Sequence, residues 1–366
     1  MKVATRILSG LWIGLWAFHT VAATEEVPEL TFEQSAEIIR HTYENQLFTL
    51  EPSKQSHYGL RMYRQTLDGK RYAATIHTEL NTIASTLNHF ADKVNTPEQI
   101  VLYAQRRLAP MRETQDERSQ RRYNVSKNMP EYVYLGIDLL SAMARANEYG
   151  LQHREDDKLR QVIRRYDFKK YATSKPMIEA WAPQLAAQVF WLRELGEQDV
   201  VDAFIDTFRE TYPDEKDASL TAQQYRNKIY TMTHIIEAMS HRYQTSVNEG
   251  DQQWIYDYFR QHIDTILLRA TPKVIAQVGI SFLLAGLDND AVVEKTREAV
   301  RKAISADIGM IPSATGEMNL SQGEQRNVLA IMLLDWQGVH ASPTVSNDPN
   351  LFANLPYGLV SKNGAN

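Results

Sequence analysis

The chain has no cysteine among its 366 residues, which excludes disulfides, thiolate nucleophiles and Cys-ligated metals in any redox compartment. Glycine and proline are sparse, at 16 and 13, and no internal stretch gathers them with serine into a linker that would divide the chain. Sustained apolar–polar alternation is also rare, which argues against half-buried strands. A basic excess is missing too. Lys and Arg number 40 against 45 Asp and Glu, a formal charge of -5, so the broad positive field expected of a nucleic-acid binder is absent. The local cluster RSQRR, residues 118–122, reads as a solvated loop. No G-x-S-x-G elbow, nicotinamide-binding glycine fingerprint, P-loop or EF-hand loop occurs, and no cofactor is expected.

Long apolar runs are scarce, and the one with a targeting pattern is at the start. Lys2 and Arg6 precede an apolar stretch from about Ile7 to Phe18, and Val21-Ala22-Ala23 supplies small residues for cleavage. That pattern predicts a secretory signal peptide over residues 1–23. The stretch is shorter than the roughly 20 residues of a spanning helix. The expected product is periplasmic or extracellular, with no integral membrane span once the signal is removed. Residues 24–340 are expected to form a single helical domain, and residues 341–366 an extended tail held by Leu351, Phe352 and Tyr357.

Helical periodicity is abundant. Two classes of helix alternate along the chain. YVYLGIDLLSAMARA, APQLAAQVFWLREL, VIAQVGISFLLAGL and NVLAIMLLDW are apolar on nearly every side. REDDKLRQVIRRY, DVVDAFIDTFRETY, WIYDYFRQHIDTILL and AVVEKTREAVRKAI carry charge on one side. An all-round apolar helix in a water-soluble protein needs protein on both sides, whereas an amphipathic helix can form an outer layer. The first class begins near Tyr132, Pro183, Ile229, Val274 and Asn327, at intervals of about 45–53 residues, which fits stacked helix pairs. The predicted class is all-α: an α/α toroid of paired inner and outer helices, or an open α-solenoid. Over roughly residues 55–340 this organisation resembles the α/α toroid shared by many secreted glycoside hydrolases and polysaccharide lyases. The chain also resembles an uncharacterised family of exported proteins from marine gammaproteobacteria. The first resemblance implies carbohydrate chemistry; the second implies no activity.

The densest candidate for chemistry is YTMTHIIEAMSHRY, residues 230–243. On a helix expected over 221–245, Ile229, Met232, Ile236, Met239 and Tyr243 form an apolar stripe, with Tyr230, His234, Glu237 and His241 opposite. On an outer helix that second face is ordinary wet surface. On an inner helix it looks into a central cavity. H-x-x-E-x-x-x-H is not the zinc signature H-E-x-x-H, and no metal is expected.

Two further segments add candidates. In SHYGLRMYRQTLDGKRY, residues 56–72, His57, Arg61 and Arg64 can recognise anionic groups. In GMIPSATGEMNLSQGEQRN, residues 309–327, Glu317, Glu324 and Arg326 can line a rim, with Ser321 as the expected helix cap. Asp138 and Asp335 lie within apolar helices, where a carboxylate needs a partner or stays protonated. Hydrolysis of a glycosidic bond would use paired acids, one protonating the leaving oxygen and the other activating water, and sequence distance assigns neither role. Elimination would use Tyr230 or His234 as base and Arg61, Arg64 or Arg326 to neutralise charge. The expectation is an exported protein acting as hydrolase or lyase on a cell-envelope or extracellular polysaccharide. The alternatives are a noncatalytic glycan-binding protein and a periplasmic scaffold with a protein partner; catalysis itself stays open.

Overall fold

Start signals in the sequence place many of the helices. Thr96 and Thr221 each head a capping box, with Gln99 and Gln224 returning the hydrogen bond, and Asp68, Asp116, Asp290 and Asn319 cap further helices through their side chains. The computed structural model describes residues 30–362. The expected signal peptide over residues 1–23 lies outside them.

The first helices are α1 (Phe32–Glu44), α2 (Pro52–Thr66), α3 (Gly69–Lys93), α4 (Pro97–Glu113) and α5 (Glu117–Ser126). A π-helical run, Val133–Leu139, leads directly into α6 (Leu140–Glu148). There follow α7 (Asp156–Arg164), the short α8 (Lys169–Ala172), α9 (Lys175–Glu194), α10 (Val201–Thr211), α11 (Ala222–Met239), α12 (Gln253–Arg269), α13 (Pro272–Leu284), α14 (Ala291–Lys302) and α15 (Leu320–Leu334). Among the described residues the fold is all-α apart from two three-residue strands. Leu151–His153 (β1) and Leu359–Ser361 (β2) pair antiparallel with Gln152 opposite Val360.

The two helix classes differ in burial as their sequences require. Every residue of α13 from Val274 to Leu284 is buried, while α14 buries only the stripe Val292, Val293, Thr296 and Val300. Packing then follows a circuit. α2 lies on α3, α3 on α6, α6 on α9, α9 on α11, α11 on α13 and α13 on α15; α15 packs against both α2 and α1. The last long helix thus returns to the first ones. α10 covers α9, and α14 covers α13 and α15. Lys273 meets Tyr230 and Gln277 meets Glu237, so α11 and α13 run in the same direction.

Several local expectations need correction. RSQRR is helical, part of α5, and Arg122 turns inward to donate to the Ala180 carbonyl at 3.1 Å and Gln184 at 2.8 Å. α15 is capped by Asn319, which accepts from the Gln322 amide at 2.9 Å; the Ser321 hydroxyl instead accepts from the Glu51 amide. α11 ends at Met239 because His241, Arg242 and Tyr243 have φ of 48°, 63° and 72°. Three successive non-glycine residues in the left-handed region cannot continue a right-handed helix. The tail after residue 340 is non-helical but packed, with Ser342, Leu351, Phe352 and Leu359 buried. Tyr357 is 69% exposed and stacks beneath Arg154 at 3.9 Å.

Candidate functional site

One cavity of ≈ 270 Å³ is lined from α2, the π-helical run, α6, α9, α11, α13 and α15 together. Helices far apart in sequence therefore face one space. α11 contributes Tyr230, His234 and Glu237, and the left-handed turn after it contributes Arg242 and Tyr243. α2 supplies His57 and Arg61, α9 supplies Gln184, Gln188 and Trp191, and α13 supplies Lys273 and Gln277. The π-helical wall passes close to α9 at Gly136, where an added Cβ would sit 2.9 Å from Gln188 Oε1. Only glycine permits that approach.

Tyr230 lies between a cation and an imidazole. Lys273 Nζ donates to its hydroxyl at 2.6 Å and to Gln325 Oε1 at 2.7 Å. The His234 ring lies 4.1 Å from the Tyr230 ring. His234 Nδ1 is 3.4 Å from Glu237 Oε2 but makes no hydrogen bond. Burial depresses the His234 pKa to about 4, reinforced by Lys273, Arg242 and Arg118 against the pull of Glu237. At neutral pH this imidazole is uncharged.

Glu237 shows the opposite balance. Burial works against its ionisation, but His234, Arg61 and Arg242 outweigh it and hold the carboxyl below its ordinary pKa. Arg61 Nη2 donates to Glu237 Oε1 at 3.3 Å, and Gln277 donates to Oε2 at 3.4 Å. His57 reaches the cavity from α2 with its Nδ1 2.6 Å from Oε1 of Glu324, a carboxylate with no exposure. In a neutral imidazole, Nδ1–H donated to that carboxylate leaves the lone pair on Nε2.

Behind the cavity a network of buried charges holds Arg242. Its main-chain carbonyl accepts from Arg61 at 2.9 Å and from Arg64 at 2.6 Å. Arg64 is fully buried, pairs with Glu148 and bonds Ser342 from the tail. Burial lowers its pKa to about 10 despite Glu148. Arg145 closes the network at 2.6 Å from both Glu79 and Glu148. The Arg242 guanidinium lies 3.7 Å from Glu148, and its buried Nη1 has no hydrogen-bond partner.

A family model described as Domain of unknown function (DUF3541) matches residues 32–362. The chain belongs to the DUF3541 family. No curated protein matches it, and no solved structure does. The expected gammaproteobacterial grouping and the expected kinship with toroidal glycan enzymes therefore draw no support from a relative. Among the described residues of this DUF3541 chain, no helix is long and apolar enough to cross a membrane, and no three His, Asp or Glu side chains group to hold a metal ion.

Of the residues singled out in the sequence, His57, Arg61, Tyr230, His234 and Glu237 line the cavity. Glu324 stands behind His57, and Arg64 behind the Arg242 turn. Five candidates stand apart from the cavity lining. His241 pairs with Glu194 at 2.8 Å, a bond that raises its pKa. Arg326 donates to the Ile311 carbonyl at 2.8 Å. Glu317 is exposed, its amide bonded to Ser313. Asp335 follows the end of α15 and pairs with Arg40 at 2.7 Å. Asp138 binds Arg107 and Tyr103. Tyr132, Tyr134 and Trp181 are buried, while Trp191 reaches the cavity. Sequence reading missed Arg242 and Lys273. Arg242 gave no signal, because its place depends on a turn without glycine; Lys273, at the start of an all-apolar helix, was a readable anomaly.

Proposed function

We propose that this chain is an exported, glycan-active protein, a closed α/α toroid whose central cavity cleaves an acidic polysaccharide by β-elimination. The observation that carries the reading is the charge inventory of the cavity. Arg61, Arg242 and Lys273 line it with a single carboxylate, Glu237, which is held ionised and bonded by Arg61 and Gln277. Hydrolysis by the usual route needs two carboxyl groups flanking the bond, one of them protonated. Elimination needs a base, a cation for the developing carboxylate charge and an acid for the leaving oxygen.

Each role has a fitting group. His57, oriented by Glu324, takes the proton α to the substrate carboxylate through Nε2. The electron pair forms a C=C bond as the bond from the β carbon to the glycosidic oxygen breaks. Tyr230, its hydroxyl held by Lys273, protonates that oxygen. Arg242, with its unpartnered Nη1, meets the carboxylate, and Trp191 offers a ring face to the sugar. Neutral His234 packs against Tyr230 and fixes it. Export to the periplasm or beyond places the protein beside envelope and extracellular glycans.

The test is incubation with peptidoglycan and a panel of acidic polysaccharides, followed by product masses. Elimination gives fragments whose masses sum to the parent and whose new ends absorb in the ultraviolet; hydrolysis adds one water per break. Water-adding products would overturn elimination. Tight binding without products would make the chain a noncatalytic glycan-binding protein, and inert glycans throughout would turn attention to a scaffold role with a protein partner.

A further inference from the structure

A second depression of ≈ 280 Å³ adjoins the cavity, and Tyr230 and Lys273 line both. Its other charged groups are Arg118 from α5, Arg226 from α11 and Asp116. Asp116 is already engaged, capping α5 by accepting from the Ser119 amide at 2.8 Å. Among the described residues, neither the Arg118 nor the Arg226 guanidinium makes a salt bridge or side-chain hydrogen bond, although the Arg118 charge helps to lower the Asp116 pKa, and Arg118 is exposed. The contrast is with the deep arginines, Arg61, Arg64 and Arg145, each held by a carboxylate. Two unpaired guanidinium groups and an ammonium around one hollow attract anions without first breaking an internal pair. The charge on Arg118 is felt inside the cavity, where it helps to keep His234 neutral.

The spacing limits what can use both places. Arg226 and Glu237 lie on the same helix, and at 1.5 Å rise per residue they are roughly 16 Å apart along it. A single sugar cannot span that distance, whereas an oligomer can. Resting on the glycan reading above, we propose that the Arg118–Arg226–Lys273 hollow is an accessory subsite that holds an acidic unit of the same polyanionic chain whose reacting unit occupies the cavity. The protein then selects chains by length as well as by charge. The two units are joined through the glycan's own covalent chain, so binding at the hollow raises the local concentration of the neighbouring unit at the cavity.

Calorimetry with dimers and hexamers of galacturonic acid and of hyaluronan tests this on the full-length mature protein. The expected result is a hexamer bound about tenfold more tightly than the dimer, an advantage that fades with added salt. In the Arg118→Ala/Arg226→Ala double variant the hexamer-to-dimer ratio should fall toward unity. The single Arg118→Glu variant, at an exposed position that leaves the core untouched, should lower the same ratio. A length advantage that survives the double variant, or dimer and hexamer bound equally by the unaltered protein, overturns the accessory subsite alone. Failure of all four oligomers to bind overturns the glycan reading and the subsite with it.

Discussion

Arg61 donates through Nη1 to the main-chain carbonyl of Arg242 at 2.9 Å, and so a residue of α2 fixes the backbone of a turn that follows α11. The turn runs through three non-glycine residues in the left-handed region, each costing on the order of 1–2 kcal/mol. It persists because Arg61, Arg64 and the Tyr243 amide bond to Ser240 hold it from several directions. The result is that Arg242 and Tyr243 project into the cavity instead of following the helix outward.

Arg64 is the member of this network whose loss should be felt most in stability. Arg64→Ala removes its bonds to the Arg242 carbonyl and Ser342 and leaves buried Glu148 short of one cation. Breaking a buried pair from one side typically costs about 3–5 kcal/mol, and urea unfolding should show a loss of that order. A double-mutant cycle with Glu148→Ala should recover part of it. A loss below about 1 kcal/mol would mean that the turn is held without Arg64.

His234 predicts an acid-side instability with a definite window. Its folded pKa, about 4, lies below the ordinary value of 6.5. The unfolded chain therefore binds the extra proton first as pH falls, and the stability that neutral His234 contributes is present above pH 6.5 and lost toward pH 4. Between pH 7 and pH 5 the loss should be about 2 kcal/mol, from the integrated difference in proton binding. Urea unfolding of His234→Gln should show a shallower decline than the parent over the same interval. Parallel declines would place the titration elsewhere.

The contrast between α13 and α14 was legible in the sequence because burial on all sides and burial on one side write different patterns. The same logic marked Tyr230, His234 and Glu237 as one face of α11, and the cavity receives all three. What the pattern hid was the turn at residues 241–243. Nothing local announces a left-handed run of His, Arg and Tyr, since the bonds that hold it come from Arg61 and Arg64, far back in the chain. His241 was therefore assigned to a face that the helix does not extend far enough to give it. The strand pair is equally nonlocal: three residues of β1 are too short to show alternation, and their partner lies at the other end of the chain. Arg122 looked solvated because arginine clusters usually are, yet Trp181 and Gln184 give it a place inside.

Gly358 is the position where the tail has least freedom. Its φ is 99°, and a Cβ there would lie 2.2 Å from Asn88 Oδ1. Asn88 is not free to swing away, since its amide donates to the Tyr357 carbonyl at 2.8 Å and its Oδ1 lies 3.0 Å from His153 Nε2. Gly358→Ala should cost about 2 kcal/mol or more, from backbone strain and the displaced Asn88 together. Hydrogen exchange should show the Gln152 and Val360 region opening first. Unchanged exchange there would mean that the β1–β2 pair does not depend on this close approach.

Tyr230→Phe separates chemistry from packing at the proposed acid. The phenyl ring keeps its place against His234 and under Lys273, both of which contact the ring as well as the hydroxyl's surroundings. Only the hydroxyl that Lys273 holds at 2.6 Å is lost. Against the acidic polysaccharide cleaved by the unaltered protein, kcat should fall by about 10²–10⁴-fold, the range of a lost general acid. KM and the unfolding midpoint should move little, because the variant removes no apolar contact and Lys273 retains Gln325 as an acceptor. A rise in KM with kcat unchanged would make Tyr230 a binding group, and the proton donor would then have to be sought elsewhere in the cavity lining.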